Sequence, residues 1–86
     1  MLPVKRSKVA ILGGGSWGTT TASVISRHCD TMLWARDGQI VDEINQAHTN
    51  HRYLGDAALN AKLTATTDIG AAVNQADAVL IAVPSS

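Results

Sequence analysis

The sequence predicts an α/β chain: a doubly wound parallel sheet of about four strands in spatial order 3-2-1-4, with helices on both faces. Three observations carry that expectation. Short apolar runs recur along the 86 residues, segments with helical spacing fall between them, and the first run ends abruptly in Gly13-Gly14-Gly15. Strictly alternating strands and helices imply right-handed crossovers between parallel strands. Such a sheet starts at a central strand and reverses direction at a switch point, which gives the order.

Lys8-Val9-Ala10-Ile11-Leu12 is a nearly continuous apolar run, the pattern of a strand covered on both faces. After the glycines, Trp17, Thr21, Val24, Ile25 and His28 recur at helical spacing, which predicts a helix over 16–28 with those residues on one face. Three consecutive threonines, Thr19 to Thr21, lower its intrinsic propensity, so tertiary packing must hold it. Thr31-Met32-Leu33-Trp34-Ala35 reads as a second buried strand. Asp37 is placed to cap a helix whose apolar side is Ile40, Val41, Ile44 and Ala47. The stretch 48–59 has no periodicity and reads as a loop. Leu63-Thr64-Ala65-Thr66 is a short strand candidate, after which Thr67 or Asp68 caps a helix carrying Ile69, Ala72, Val73 and Ala76. Ala78 to Val83 is the longest apolar run, and Pro84 closes it. Residues 1–7 read as a tail and 8–86 as the domain. Doubly wound domains normally continue for two more strands, so this sheet is expected to be incomplete, the front of something larger whose catalytic domain is absent.

Composition removes several functions. At 45% apolar and 16% charged, with seven Lys plus Arg against seven Asp plus Glu, the chain is too apolar for disorder. It also lacks the basic surplus of a nucleic-acid binder. No apolar run approaches the ~20 residues of a membrane span, and Met1 to Ser7 has no signal-peptide core behind it. The single Cys29 cannot form an internal disulfide. A cytoplasmic location and no membrane partner are the expectation.

The chemistry concentrates at Gly13-Gly14-Gly15-Ser16-Trp17-Gly18, which fits G-x-G-x-x-G. Alone the pattern is common. Here a buried strand precedes it, a helix opens at it, and the strand–helix–strand unit has the required length of about 30 residues, a Rossmann-type dinucleotide-binding arrangement. Gly13 would permit the tight turn, Gly15 the close approach of a pyrophosphate, and Gly18 close helix–sheet packing. Ser16 and Trp17 would offer main-chain N–H groups at the helix end, with the Ser16 hydroxyl as a further donor. At the end of the second strand stands Arg36, then Asp37. An acidic residue there usually accepts the ribose 2′-OH of NAD. Asp37 is read instead as the helix cap, and Arg36 as the partner of a 2′-phosphate, which favours NADP(H) and leaves NAD(H) use open. The plain alternative for Arg36 is a solvated strand-end charge. Val83, Pro84 and Ser85 follow the last strand at the ligand-binding edge of the sheet, near the expected ribose. His28, His48 and His51 form no nucleophilic or metal-binding constellation, so neither catalytic nor metal residues are expected in this chain.

Ile11-Leu12-Gly13-Gly14-Gly15-Ser16-Trp17-Gly18-Thr19 followed by Leu33-Trp34-Ala35-Arg36-Asp37 resembles the amino-terminal domain of bacterial-type NAD(P)-dependent glycerol-3-phosphate dehydrogenases. The likeness continues through Ile44-Asn45, Asn50-His51-Arg52-Tyr53-Leu54, Ala65-Thr66-Thr67-Asp68, and Ala76-Asp77 leading to Ala82-Val83-Pro84-Ser85. It implies that Ser16, Trp17 and Arg36 contact NADPH and that the Tyr53 region approaches it. It further implies that the parent enzyme interconverts dihydroxyacetone phosphate and sn-glycerol 3-phosphate by hydride transfer, feeding phospholipid synthesis. The partners would then be the dinucleotide and a small phosphorylated substrate, with a homodimer in view. Two departures stand out: Gly55-Asp56 where the family usually has Pro-Gly, and Thr20-Thr21 where it has alanine and leucine. Two alternatives remain at this stage. One is the cofactor domain of a hydroxyacid or ketopantoate-type reductase, and the other is a nucleotide-sensing module without chemistry of its own.

Overall fold

Val9, Ala10 and Ile11 are buried because the strand that carries them has neighbours on both sides and helices on both faces. The computed structural model describes residues 6–82. Along the chain it forms β1 (Lys8–Leu12), α1 (Ser16–Ile25), β2 (Asp30–Trp34), α2 (Gly38–Ala47), α3 (His51–Leu54), β3 (Thr64–Thr66), α4 (Ile69–Val73) and β4 (Ala78–Ile81). The four strands make one sheet in the order β3-β2-β1-β4. Every pairing is parallel, with Ile11 beside Leu33 on one flank and Leu80 on the other, and Leu33 beside Ala65. This is the fold class and strand order the sequence predicts. The sheet is Rossmann-type, and β1 stands at its centre.

Residues on neighbouring parallel strands that share a register share a face. Val9, Ile11, Leu33 and Ala65 therefore point the same way, into one core with Ala22 of α1 and Ile40, Val41 and Ile44 of α2. On the opposite face α4 packs across β1, β2 and β3. There Ala72 is fully buried, and the Lys8 ammonium donates to the carbonyls of Ala71 and Asn74. The reversal that puts α4 on its own face is the switch point, and it opens at the carboxyl ends of β1 and β4.

The polar residues of the family-like segments serve the sheet. Asn45 lies against the outer edge of β3, donating to the Ala65 carbonyl at 3.0 Å and accepting its N–H at 2.8 Å, which closes an otherwise open strand edge. Asp77 starts β4 by accepting the Lys8 N–H at 2.8 Å while donating its own to the Lys8 carbonyl at 2.7 Å. Asp37 caps α2 through Gln39 N–H, and Asp68 caps α4 through Gly70 and Ala71 N–H, so of Thr67 and Asp68 it is the aspartate that caps.

Several expectations need correction. Helix α1 ends at Ile25, and 26–28 continue only as turns with bonds such as His28 N–H to the Ile25 carbonyl. Its buried face is Gly18, Thr19 and Ala22, while Trp17 is 62% exposed and Val24 is exposed too. Small residues win that face because they let the helix axis approach the sheet, leaving no room for an indole. The stretch 48–59 contains a helical turn, α3, anchored by Asn50 rather than by an apolar stripe. Helix α4 is shorter than predicted, stopping before Ala76, and buries only Ala72. Ala47 of α2 is exposed. In strand β4, Val79 and Ile81 are exposed because no element among the described residues lies over them. At the departure from the family pattern, Gly55 adopts φ +58°, a conformation closed to proline.

Candidate dinucleotide site

The carboxyl ends of β1 and β2, the glycine loop and α3 enclose a cavity of about 480 Å³. Gly13, Gly14 and Gly15 line it together with the β2 exit (Trp34, Ala35, Arg36, Asp37). Arg52 and Tyr53 of α3, with Ile40 and Ala82, complete the lining. A sequence reading through the glycines, Arg36 and Tyr53 thus names residues that share one cavity. Ser16 and Trp17 stand outside its lining, on the first turn of α1, with both side chains exposed. Gly18 is buried beneath the loop. Val83 and Pro84 lie outside the described residues.

The glycine loop divides into positions that pack and a position that opens. Gly13 has φ +133°, and a Cβ on it would lie 2.3 Å from the Ala82 carbonyl oxygen. A Cβ at Gly18 would lie 2.2 Å from the Gly13 carbonyl oxygen. At Gly15 a Cβ would meet nothing within 4 Å. Gly15 is also the N-cap of α1; no side chain caps that end and its first turn carries no acidic residue. The unpaired N–H groups and the positive end of the helix dipole are therefore left facing open space. That is the donor set a diphosphate requires, and the residues present fit it.

Asn50 holds this loop in place. It is fully buried, and its amide donates to the Gly14 carbonyl and to Thr19 Oγ1, both at 3.1 Å. Thr19 Oγ1 in turn donates to the Gly14 carbonyl at 3.2 Å. The glycine loop, α1 and the start of α3 are thereby joined, while Asn50 Oδ1 stays buried without a partner among the described residues. Sequence reasoning missed this role; the buried amide between a featureless loop and a polar helix turn carries no periodic signal. The threonine that appeared to weaken α1 is part of the same clasp.

Beyond Asn50, His51 pins α3 to α2. Its Nδ1 meets Glu43 Oε2, its Nε2 lies 3.0 Å from Asp56 Oδ1, and its N–H donates to Glu43 at 2.9 Å. The hydrogen bond and charge of Glu43 raise the His51 pKa above its ordinary value, with Asp56 adding to the shift. Bonds from Thr49, from the His51 backbone N–H and from the His51 ring lower that of Glu43.

A family model described as NAD-dependent glycerol-3-phosphate dehydrogenase N-terminus matches residues 8–86. The chain belongs to that family. It is 49% identical over 83 residues to a glycerol-3-phosphate dehydrogenase (NAD(P)+) of Mycobacterium avium, a match covering 95% of this chain and 24% of that protein. A second such enzyme, from Sphingopyxis alaskensis, is 50% identical over 80 residues, covering 93% of this chain and 24% of its own length. The crystal structure of glycerol-3-phosphate dehydrogenase from Coxiella burnetii superposes with a TM-score of 0.81 at 37% identity, over 93% of this chain and 25% of that one. The Plasmodium falciparum glycerol-3-phosphate dehydrogenase gives 0.83 at 28% identity, over 92% and 25%. The chain thus spans about a quarter of the length of the relatives it matches. Among the two-domain reductases weighed on the sequence, this membership decides for the glycerol-3-phosphate dehydrogenases over the hydroxyacid and ketopantoate type. No helix among the described residues is long and apolar enough to cross a membrane.

Proposed function

We propose that residues 8–86, preceded by a short tail at 1–7, form the amino-terminal part of the cofactor-binding domain of a cytoplasmic glycerol-3-phosphate dehydrogenase. It binds NADP(H) in preference to NAD(H). The whole enzyme would interconvert dihydroxyacetone phosphate and sn-glycerol 3-phosphate, and when bound the nicotinamide supplies or accepts the hydride. The relatives' names support that substrate and cofactor class. The observation that carries the reading is the uncapped end of α1, which opens at Gly15 onto a cavity that Arg36 also lines. The diphosphate would sit at Gly15, Ser16 and Trp17, the adenosine ribose at Arg36, and Tyr53 would close the rim. Gly13 and Gly18 act by shaping the loop. We assign Val83 and Pro84 to the ribose side on their place in sequence. This chain's part is to bind and orient; no acid, base or nucleophile in it is given a catalytic role. The exposed β4 supports self-association, a homodimer being the simplest form.

Trp34 lines the cavity, so dinucleotide binding should quench tryptophan fluorescence in this chain. Saturable quenching by NADPH at lower concentration than by NADH is the expected result. Quenching by neither overturns the assignment.

A further inference from the structure

Among the described residues Asp37 is the one carboxylate lining the cavity, and both of its oxygens are engaged. Oδ1 accepts the Gln39 N–H at 2.8 Å as the cap of α2. Oδ2 lies 3.3 Å from Arg52 Nη1, which reaches it from α3. The Arg52 guanidinium stands 5.4 Å from the centroid of the neighbouring Tyr53 ring, a cation–π distance that steadies it over the cavity rim. Arg36 lines the same cavity.

We propose that Arg52 determines nucleotide specificity: it occupies Asp37 so that this carboxylate does not read a ribose 2′-hydroxyl, and it presents a second guanidinium, in the cavity that Arg36 also lines, to a 2′-phosphate. The inference rests on the dinucleotide reading above and names a residue that reading does not use. The charges at this end of the cavity are Arg36 (+1), Arg52 (+1) and Asp37 (−1), a local sum of +1. A 2′-phosphate carries close to two negative charges at neutral pH and would be repelled by Asp37 alone; Arg52 cancels that repulsion and offers a fork of donors. A 2′-hydroxyl needs an acceptor, and the oxygen of Asp37 not used in capping is the one Arg52 holds. The Arg52 and Asp37 side chains are 65% and 38% exposed, so their pairing contributes little to folding and can yield to a ligand.

The two arginines therefore predict different outcomes. Arg36→Ala leaves Asp37 engaged and should weaken NADPH while leaving NADH nearly unchanged. Arg52→Gln frees Asp37, so NADPH should weaken about tenfold while NADH tightens severalfold. Adding Asp37→Asn to Arg52→Gln should abolish the NADH gain. Arg52→Lys keeps a cation beside Asp37 and should leave NADH weak, which separates the charge from any effect on folding. The readout is tryptophan quenching by each dinucleotide in the full chain. Opposite signs for the two cofactors in Arg52→Gln support the inference. Equal losses, or no change in either, overturn it and leave the dinucleotide reading standing. Failure of the unsubstituted chain to bind either dinucleotide overturns both.

Discussion

Gly15 and Gly18 belong to one motif, yet substitution separates them. Gly15 has φ −74° and ψ −174°, which alanine adopts without strain, and its Cβ would enter open space. Gly15→Ala should therefore leave the melting temperature nearly unchanged while pushing the diphosphate away from the helix end, weakening both dinucleotides at least about tenfold. Gly18→Ala drives a Cβ against the Gly13 carbonyl and 2.9 Å from the Ala82 Cβ. Backbone cannot yield as a flexible side chain can. Alanine's better helix propensity, up to ~1 kcal/mol, is outweighed by an overpacking cost of about 1–3 kcal/mol. Thermal unfolding with paired titrations checks both. A Gly15→Ala protein that melts early, or a Gly18→Ala protein as stable as the parent, would refute this division. At Arg36 the measurement is comparative: Arg36→Ala should weaken NADPH roughly tenfold to hundredfold, less so at high salt, and NADH little.

α3 was invisible in the sequence although its residues were quoted there. Four residues cannot display a helical period, and what fixes them is polar. Asn50 ties the turn inward to Gly14 and Thr19, and His51 ties it outward to Glu43 and Asp56. β1, β2 and α2 were legible because burial selects apolar residues at regular spacing. The buried face of α1 was misread because Gly18 and Ala22 pack by being small, which a search for large apolar residues passes over. The glycines and Arg36 were readable because a motif fixes their spacing; Arg52 reaches Asp37 only through the fold. Asn50→Ala should destabilise the chain by about 1–3 kcal/mol in denaturant unfolding, since it strips a buried donor from the Gly14 carbonyl. The His51 latch should respond to pH. His51 has a raised pKa in the folded chain, so its stabilisation is complete below the ordinary value of 6.5 and is lost as pH rises through the raised value. Glu43 has a lowered one, so its share is complete above 4.5 and is lost as pH falls through the lowered value. The stability difference between the parent and His51→Gln should thus be largest between 4.5 and 6.5 and shrink on the alkaline side. A difference independent of pH would show that the latch does not act through charge.

The two edges of the sheet are treated differently, and that asymmetry bears on how the whole molecule behaves in solution. The β3 edge is closed by the Asn45 side chain, which occupies both hydrogen-bonding positions of Ala65. The β4 edge has no such cover among the described residues. Ile81 is 69% exposed there and Val79 is exposed beside it, on the face where α4 leaves Ile69 and Val73 partly bare. An apolar strand with free N–H and C=O groups is a template for a second strand. Self-association should accordingly run through β4 and spare β3. Light scattering on this chain should reveal dimers or larger species that grow with concentration. Ile81→Lys places a charge on the exposed strand without touching the core, and should shift the population towards monomer. A charge reversal beside the closed edge, at the exposed Lys62→Glu position before β3, should not. The dinucleotide cavity is lined by the glycine loop, the β2 exit, Ile40, α3 and Ala82, and Ile81 is not among its lining residues, so NADPH quenching should survive Ile81→Lys. A parent chain that stays monomeric at high concentration would mean that the bare edge is tolerated. Loss of binding in Ile81→Lys would mean that the second copy, or β4 itself, helps to build the site.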